Sequence, residues 1–461
     1  MQIDHVFIQQ VLPKAEIIGS FPINAPLHTD SRLVTKGSIF VALSGARVDG
    51  HDYIAQALSN GAAGCMIAAS KKDSLKDIFK KNTNVCFILV EKPFDALVEL
   101  ARAWRNTFDI PVIGITGSIN KTSTKEMLAQ VVAAAEIPFI KSEGNQNTLI
   151  GLSMNILLMR EQHKLAIFEM GISKPGEMRK IAELVKPTTA IITHIGHSHC
   201  EGLGSLTDVA AEKRQIFSAF TESNIGIING DIPFLANISY NHPVVKFGTK
   251  TNNQIQARNI KISENSTTFY LKLYEKRYLV TLPSIHPSRV MAALASATAA
   301  HLIGISDQAI LAGIQKPLVV PGRFQLVELQ NNNSRIIHDA YNASPESMRA
   351  ALNSFDAIKS DNLKIAVLGD MLELGINSSY WHRQIGRILR KAKTISKVIL
   401  VGEQIKHAIK TIPHTIQIQH ANNWQEAGAM LSQELQKTDA FVLLKASRGI
   451  GLDNIVKDLV R

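Results

Sequence analysis

Residues 111–123 read Pro-Val-Ile-Gly-Ile-Thr-Gly-Ser-Ile-Asn-Lys-Thr-Ser and join a strand-like apolar run to a helical pattern that continues from Lys125. In that context, backbone N–H groups at the start of a helix can surround a phosphate. Lys121 is then placed to reach the β- and γ-phosphates of a nucleotide, and the Thr122 hydroxyl to hold Mg²⁺. An ordinary strand–helix turn is the alternative. We interpret the segment as a phosphate-binding loop within an α/β nucleotide-binding domain.

Asn120 stands immediately before Lys121, at a position where such loops normally carry glycine. Glycine suits the position because it adopts left-handed backbone angles without strain and leaves space for a phosphate. Asparagine also visits the left-handed region, but its amide takes up some of that space. The sequence therefore predicts a left-handed backbone at Asn120 and a less open phosphate site.

Strand-like runs alternate with helical periodicity through the sequence that follows this loop. The runs are residues 165–169, 190–193, 226–229, 364–369, 398–402 and 440–445. Such alternation is typical of βαβ units and mostly parallel sheets. Residues 1–90 combine short apolar runs with a helical pattern near 53–60, which indicates a small α/β domain. We predict three α/β domains, at residues 1–90, 91–319 and 320–461.

The composition is that of a globular protein with several domains. The chain has 461 residues, 45% hydrophobic and 19% charged, which indicates neither a disordered nor a fibrous protein. Its net charge of +11 favours anionic ligands such as nucleotides, but the scattered basic residues do not indicate a nucleic-acid surface. Three cysteines without close spacing are typical of a reducing compartment. With neither a signal-peptide pattern nor an apolar run of membrane-spanning length, we expect a cytoplasmic protein that does not span a membrane.

Two polar residues follow strand-like runs in the central domain. Glu169 ends the run 165–169, and His199 lies in a histidine-rich loop after the run 190–193. Because α/β sheets bind ligands at the carboxyl ends of their parallel strands, Glu169 is a candidate ligand-binding carboxylate and His199 a candidate metal ligand. A helix-capping or surface carboxylate and a hydrogen-bonded structural histidine are the alternatives.

Lys213 falls within an apolar stripe of the helix that Ser205 is predicted to cap. The other members of the stripe are Leu206, Val209, Ala210, Ile216, Phe217 and Phe220. A lysine on an apolar face is costly unless its charge is paired, reaches water or is removed. Burial lowers the pKa of an amine, and a neutral amine can add CO₂ to become a carbamate, an oxygen ligand suited to Mg²⁺. The residues alone leave both a solvent-reaching lysine and a carbamate open.

Further motifs follow one another through all three predicted domains. They are Asp30-Ser-Arg, Gly37-Ser-Ile-Phe-Val-Ala-Leu, Asp49-Gly-His-Asp, Gly144-Asn-Gln-Asn, Phe168-Glu-Met-Gly, His199-Cys-Glu-Gly-Leu-Gly-Ser, Ala211-Glu-Lys, Gly322-Arg-Phe, Asp339-Ala-Tyr-Asn-Ala-Ser-Pro-Glu-Ser-Met, Val367-Leu-Gly-Asp-Met-Leu-Glu-Leu-Gly and Lys445-Ala-Ser-Arg-Gly. Together with the phosphate-binding loop, they resemble the Mur ligase family from the first domain to the last.

The resemblance implies an ATP-dependent amide ligase with a small α/β uridine-nucleotide domain, a central P-loop-type mononucleotide-binding domain and a C-terminal Rossmann-like domain. Its expected substrates are UDP-N-acetylmuramoyl-tripeptide and D-alanyl-D-alanine, which it would join through an acyl-phosphate in peptidoglycan precursor synthesis. Two Mg²⁺ ions and a monomeric chain are further expectations.

The resemblance also implies roles for individual residues. The expected ATP-binding residues are Gly117, Ser118, Asn120, Lys121, Thr122, Ser123, Arg323 and Asp339. The expected magnesium ligands are Thr122, Glu169, His199 and Lys213, of which Lys213 is the lysine that the family carbamylates. Lys121, Lys213 and His199 are expected to be catalytic. The expected substrate-binding residues are Ser31, Arg32, Asp49, His51, Asn145, Asn147, Asn342, Ser447 and Arg448.

Departures from the family pattern concentrate on the nucleotide side. Besides Asn120, Ser288-Arg289 stands where the family usually has His-Asn, with its Asn contacting adenine, and His338 stands where an Asp is frequent. Three smaller departures each replace a usual Asn, and they are Ser173, Thr148 and His194. Two alternatives stay open: a relative that binds the uridine nucleotide with impaired or absent catalysis, and a ligase of the same mechanism with a different amine acceptor.

Overall fold

Strands and helices alternate along the chain in a computed structural model that describes residues 2–45, 48–198, 200–263, 265–286, 288–330 and 333–460. The strands are β1 (Glu16–Ile18), β2 (Leu27–His28), β3 (Ile39–Val41), β4 (Gly64–Ala68), β5 (Cys86–Val90), β6 (Val112–Thr116), β7 (Phe139–Lys141), β8 (Leu165–Glu169), β9 (Thr189–Ile192), β10 (Ile225–Asn229), β11 (Val244–Gly248), β12 (Ile255–Ile262), β13 (Thr267–Leu273), β14 (Lys276–Leu282), β15 (Gln325–Glu328), β16 (Arg335–His338), β17 (Leu363–Gly369), β18 (Ile395–Val401), β19 (Gln417–Ala421) and β20 (Ala440–Lys445).

The helices separate most of these strands. They are α1 (His5–Val11), α2 (Ile54–Ser59), α3 (Lys76–Lys81), α4 (Pro93–Arg105), α5 (Lys121–Ala134), α6 (Leu149–Leu157), α7 (Glu177–Val185), α8 (Cys200–Leu203), α9 (Leu206–Arg214), α10 (Pro233–Ala236), α11 (Ser288–Leu302), α12 (Asp307–Ile314), α13 (Pro345–Ala357), α14 (Ser378–Leu389), α15 (Trp424–Leu435) and α16 (Asp453–Val460). The α/β class predicted from the sequence is confirmed.

The chain forms two compact units. The first comprises residues 1–114, 138–171 and 179–187, and the second comprises residues 115–137, 172–178 and 188–461. Residues 115–123 of the phosphate-binding segment and the whole C-terminal region therefore belong to the second unit. The predicted domain boundaries after residues 90 and 319 stay predictions.

A five-stranded sheet of order β1-β5-β4-β3-β2 organises the start of the first unit. β1 is antiparallel to β5, and the other neighbouring strands are parallel. The apolar side chains of β3 and β5 are buried on both faces, as expected of parallel strands. The same unit contains the parallel pair β7–β8 and the packed helices α4 and α6.

The central part of the second unit has parallel strands from β9 through β10 and β11 to β12. Strands β12, β13 and β14 are antiparallel, so the prediction of mostly parallel sheets missed them. Residues on β13 alternate between buried and more exposed positions, a pattern typical of an antiparallel strand with one covered face. Helix α5 packs against α11 and α12.

The C-terminal part of the second unit is a six-stranded sheet of order β15-β16-β20-β17-β18-β19. β15 is antiparallel to β16, and the remaining neighbours are parallel. Apolar clusters cover both faces, with Phe355 and Leu368 in one and Leu431 and Val442 in the other. Because β16 and β20 are parallel neighbours, their carboxyl ends lie side by side at the same end of the sheet.

The helix predicted to carry the Lys213 stripe is shorter than expected. Ser205 caps α9 through the N–H of Asp208, whose carboxylate accepts from the Ser205 N–H in return. The helix ends at Arg214, and Gln215–Phe217 forms a 3₁₀ turn. Ile216 and Phe217 are still buried, so the apolar face continues beyond the last helical turn.

Candidate functional site

The phosphate-binding loop is fixed by the segment that follows β9. The Ser118 hydroxyl accepts from the N–H of Gly196 at 2.9 Å and donates to its carbonyl at 3.0 Å. The Ser118 N–H donates to the His194 carbonyl, and the Thr193 hydroxyl donates to the Ile119 carbonyl at 2.6 Å. Ser118 thus positions the loop, because its own donors are used within the protein.

The close packing around the loop requires a glycine at position 117. Its φ is 149°, and a Cβ added there would lie 2.0 Å from the Thr193 hydroxyl oxygen. A larger residue would displace the loop from the segment that holds it.

The loop ends in a left-handed residue directly before the first turn of α5, an arrangement that suits phosphate binding. Asn120 has a φ of 67°, which confirms the predicted left-handed backbone. Helix α5 begins at Lys121, so its first N–H groups have no acceptor within the helix and can bind an anion. The Lys121 ammonium donates to the Gly117 carbonyl at 2.8 Å and lies across the loop.

The Asn120 side chain contacts the backbone at Ser288. The Asn120 amide donates to the Ser288 carbonyl at 3.3 Å, at the beginning of α11. The amide is therefore directed at α11 by a hydrogen bond that glycine could not make. This contact ties the loop to the helix that carries Arg289.

A cleft of about 680 Å³, open to solvent, adjoins the loop within the second unit. Its lining combines the loop, the start of α11 and the C-terminal region, and comprises Ser118, Ile119, Asn120, Thr122, Ser123, Ser198, His286, Ser288, Arg289, Arg323, Phe324, Asp339, Asn342, Ala343, Ser344, Ser347, Ala350 and Lys445. Predicted ATP-binding residues far apart in sequence, from Ser118 to Asp339, are therefore brought together.

Cations dominate the charged residues of this lining. The Asp339 carboxylate forms a salt bridge of 2.7 Å with the Lys445 ammonium. The same carboxylate accepts a hydrogen bond from the Phe324 N–H. Arg289 is 4% exposed, and one of its terminal nitrogens donates to the Arg323 carbonyl at 3.1 Å. The other terminal nitrogen is buried without a hydrogen-bond partner among the described residues. Burial lowers the pKa of the Arg289 guanidinium to about 10, so this cation would gain from a bound anion.

Lys213 is buried on α9, with 1% of its surface exposed. Burial, reinforced by the positive charge of Lys121, lowers the pKa of the Lys213 amine well below its ordinary value. Because Lys213 is buried, its amine does not extend into water, and the alternative of a solvent-reaching lysine is wrong. A buried amine of lowered pKa is the form that can add CO₂.

Glu169 lies in the first unit, at the end of β8, and is 2% exposed. One carboxylate oxygen accepts from the Asn147 amide at 2.8 Å, and the other is buried with no hydrogen-bond partner among the described residues. A buried carboxylate oxygen in this state is costly unless a ligand satisfies it. An oxygen donor of this kind fits Mg²⁺.

The predicted uridine-nucleotide residues also lie in the first unit. Asp30 caps the 3₁₀ turn Ser31–Leu33 and forms a salt bridge of 2.6 Å with the exposed Arg32 guanidinium. Ser31 donates to the Gln56 side chain. Arg32 is thus an exposed cation whose Nε and one terminal nitrogen donate to the Asp30 carboxylate.

His51 has both ring nitrogens occupied within the protein. Nδ1 lies 2.6 Å from the Asp49 carboxylate, and Nε2 accepts from the Ala68 N–H. The hydrogen bond from His51 holds the pKa of Asp49 well below its usual range. His51 therefore positions Asp49, and neither of its nitrogens is free for a substrate.

The remaining predicted substrate residues are divided between the units. Asn145 and Asn147 lie in the first unit, where Asn147 holds Glu169. Asn342, Ser447 and Arg448 follow β16 and β20 in the second. Ser447 accepts from the Leu372 N–H and is buried, whereas Arg448 is exposed.

The sequence did not predict the cluster around Glu346. The Glu346 carboxylate accepts from the backbone and ring of His197, which packs on Trp381. Only the motif containing Glu346 could have drawn attention to it. His199, predicted to be catalytic and to bind magnesium, lies outside the described residues.

Comparison with known proteins agrees with this architecture. Three family models match the chain in order: the Mur ligase family catalytic domain at residues 26–105, the Mur ligase middle domain at 115–300, and the Mur ligase glutamate ligase domain at 322–448. The UDP-N-acetylmuramoyl-tripeptide–D-alanyl-D-alanine ligase of Bacillus subtilis is 33% identical over 440 residues, covering 94% of this chain and 92% of that protein.

Two solved structures are similar over nearly the whole chain. MurF from Acinetobacter baumannii has a TM-score of 0.86 at 25% identity, covering 100% of this chain and 99% of that one. MurF from Thermotoga maritima in complex with ADP has a TM-score of 0.78 at 25% identity, covering 94% and 96%. The predicted three-domain α/β architecture is confirmed.

The loop, the cation-lined cleft and the sheets that carry them define a nucleotide-binding α/β enzyme of the P-loop type. With the relatives and family models described, the chain belongs to the Mur ligase family and is an ATP-dependent ligase. No helix among the described residues combines the length and apolarity needed to cross a membrane.

Proposed function

We propose that the chain joins the carboxylate of UDP-N-acetylmuramoyl-tripeptide to the amine of D-alanyl-D-alanine at the expense of ATP, as a cytoplasmic step of peptidoglycan precursor synthesis. The observation that carries the proposal is the cleft in which the phosphate-binding loop meets Arg323 and Asp339. The substrates named for the Bacillus subtilis relative, which matches 94% of this chain, support this choice of donor and acceptor.

The reaction must activate a carboxylate, because a carboxylate and an amine do not condense in water. The substrate carboxylate attacks the γ-phosphorus of ATP, ADP leaves, and an acyl-phosphate forms. Lys121 and the first N–H groups of α5 stabilise the charge that develops on the transferred phosphoryl group. The amine of the dipeptide then attacks the acyl carbon, and the tetrahedral intermediate expels phosphate.

Two oxygen donors are proposed as magnesium ligands, each from its own unit: the Thr122 hydroxyl in the second unit and the Glu169 oxygen without a described partner in the first. Two ions and His199 are further parts of the proposal. Bound Mg²⁺ neutralises phosphate charge and orients the γ-phosphoryl group. As an amine, Lys213 offers no oxygen to a metal. Addition of CO₂ to its neutral nitrogen, with release of a proton, would convert it into a carbamate whose oxygens suit Mg²⁺.

Phosphate release tests the proposed function. With ATP and Mg²⁺ present, we expect rapid release only when both UDP-N-acetylmuramoyl-tripeptide and D-alanyl-D-alanine are added. Release that needs the uridine substrate and a different amine would reassign the acceptor. Release that needs neither substrate would contradict ligation.

Uridine-substrate binding should not require ATP, because Arg32 and its Asp30 partner belong to the first unit and the phosphate-binding residues from Gly117 to Ser123 belong to the second. We expect saturable binding of UDP-N-acetylmuramoyl-tripeptide by calorimetry without ATP, weakened about tenfold or more in Arg32→Ala by the loss of a charge-assisted contact. Arg102→Ala removes an exposed cation of the same unit and serves as the control. Equal binding by the Arg32 variant would refute this assignment.

Asn120 is expected to raise the ATP requirement without preventing catalysis. Replacing it with glycine keeps the left-handed backbone available and removes an amide from the cleft lining, so the KM for ATP should fall at least about fivefold. Asn120→Ala removes the same amide but leaves a Cβ at positive φ, and it should destabilise the loop. An unchanged or higher KM in the glycine variant would mean that the contact with Ser288 helps nucleotide binding.

A further inference from the structure

Three consecutive residues between β9 and α8 divide their hydrogen bonds between two partners. Gly196 binds the Ser118 hydroxyl through its N–H at 2.9 Å and its carbonyl at 3.0 Å. Ser198 donates its hydroxyl to the Ser118 carbonyl at 3.3 Å. His197, which lies between them, instead donates its N–H to the Glu346 carboxylate at 3.1 Å. One short segment therefore joins the phosphate-binding loop to Glu346.

Helices α13 and α14 hold the His197 ring from two elements. On α13, the Glu346 carboxylate accepts from Nδ1 of the ring. On α14, Trp381 packs against the ring, with the two ring centres 4.3 Å apart. Glu346 lies in the first turn of α13, which Ser344 caps, so the helix fixes its place. A Cβ at position 196 would lie 2.8 Å from the Glu346 carboxyl carbon, so only glycine allows this approach.

Fold stability does not explain a glutamate at this position. One oxygen of Glu346 accepts from both the backbone and the ring of His197, and the other is buried with no hydrogen-bond partner among the described residues. A buried carboxylate oxygen without a partner is costly. What the carboxylate supplies in return is a charge-assisted contact that fixes one residue at two of its donors.

The geometry of Ser118 depends on where this segment is held. The Ser118 N–H donates to the His194 carbonyl, and its hydroxyl and carbonyl bind Gly196 and Ser198. A loop that binds phosphate through its backbone N–H groups needs those groups fixed in direction before the ligand arrives. A displacement of the segment would therefore be passed to the loop and weaken its contacts with phosphate.

We propose that Glu346 is a positioning residue for the polyphosphate of the nucleotide. By holding His197 it fixes Gly196 and Ser198, and through them it keeps Ser118 in the geometry that binds phosphate. The inference rests on the proposed function only in that ATP binds at this loop, and the identities of the two ligated substrates do not enter. Because such a loop acts mainly on the β- and γ-phosphates, a nucleotide with one phosphate should be affected least.

The affinities for ADP and AMP test the inference without either ligated substrate. Both nucleotides are titrated calorimetrically with Mg²⁺ against the wild type and Glu346→Gln. We expect the variant to bind ADP about tenfold more weakly and AMP at most about twofold more weakly, because a charge-assisted contact behind the loop is lost. Its unfolding temperature should not fall, since a buried unpaired oxygen loses its charge. Asp361→Asn removes an exposed carboxylate from the same unit and should change neither affinity.

A double-mutant cycle tests whether Glu346 acts through His197. His197→Ala should also lower the preference for ADP over AMP, and it carries the comparison alone if Glu346→Gln does not fold. In the double variant, the loss of ADP affinity should be smaller than the product of the two single losses, because both substitutions break one contact. Losses that multiply fully would show that the two residues act separately and would overturn the inference.

The remaining outcomes separate this inference from the proposed function. Equal losses of ADP and AMP affinity in Glu346→Gln, or an unchanged preference with a lower unfolding temperature, would reduce Glu346 to a structural residue and overturn the inference alone. A change confined to the KM for the dipeptide would do the same, since it indicates direct substrate contact. A wild type that binds ADP no more tightly than AMP would overturn the proposed use of ATP at this loop, and the inference with it.

Discussion

Replacing Lys213 with alanine is expected to lower kcat by about 1000-fold or more while the protein still folds. The lysine is fully enclosed, and burial together with the charge of Lys121 lowers the pKa of its amine. Burial makes the charged form of the Lys213 amine costly, so loss of the side chain need not unfold the protein, whereas its carbamate would supply oxygen atoms to Mg²⁺. The measurement is steady-state phosphate release, with thermal unfolding as the check on folding.

Chemical rescue distinguishes a lost ligand from a lost structural side chain. Alanine leaves a cavity in place of the lysine, so formate or acetate can enter and replace the carbamate oxygens, and activity should rise with their concentration. Lys213→Met fills the same space with an apolar chain and should be as inactive as the alanine variant but insensitive to carboxylates. A methionine variant that keeps most of its activity would refute the carbamate.

The second large effect is expected for Glu169→Gln, which should lower kcat by about 100-fold. Glutamine has nearly the shape of glutamate, and its side-chain oxygen can still accept from the Asn147 amide. The substitution therefore removes the negative charge of an oxygen that no described residue satisfies, and little else. Weaker magnesium binding should appear as an activity curve displaced to higher Mg²⁺ concentration.

A matched substitution controls for the loss of one charge from the first unit. Glu161→Gln makes the same chemical change at an exposed position and should leave both kcat and the magnesium dependence unchanged. If Glu169→Gln also retained wild-type activity at every Mg²⁺ concentration, Glu169 would not be a magnesium ligand.

Local features of the fold could be predicted from the sequence because their signals are local. The strand before the phosphate-binding loop, the left-handed Asn120 and the Ser205 cap are each encoded within a few residues. The antiparallel strands β12–β14 could not be predicted in this way, because alternation of strand-like and helical patterns indicates only parallel strands joined by helices. The helix after Ser205 was predicted too long because the apolar stripe continues from α9 into a 3₁₀ turn, and the spacing of apolar residues does not distinguish the two.

Contacts between distant segments could not be predicted in this way. The Asn120 amide donates to the backbone carbonyl of Ser288, 168 positions away, and no pattern within either segment indicates this contact. His51 looked like a substrate ligand, yet Asp49 and Ala68 use both its nitrogens. The contacts of Tyr341 with Arg323 and Arg448 could not be predicted either, because they depend on the pairing of β16 with β20 and on the hydrogen bond from the Tyr341 N–H to the Gly322 carbonyl.

The central claim is that the substrate carboxylate is activated by phosphorylation and then captured by the dipeptide amine. Its most direct test uses UDP-N-acetylmuramoyl-tripeptide labelled with ¹⁸O in its reacting carboxylate, together with ATP, Mg²⁺ and D-alanyl-D-alanine. Because the carboxylate oxygen that attacks the γ-phosphorus leaves with the phosphate, each peptide bond formed should place one ¹⁸O atom in inorganic phosphate, as measured by mass spectrometry. Unlabelled phosphate, or phosphate released without the UDP-muramoyl-pentapeptide product, would contradict the account.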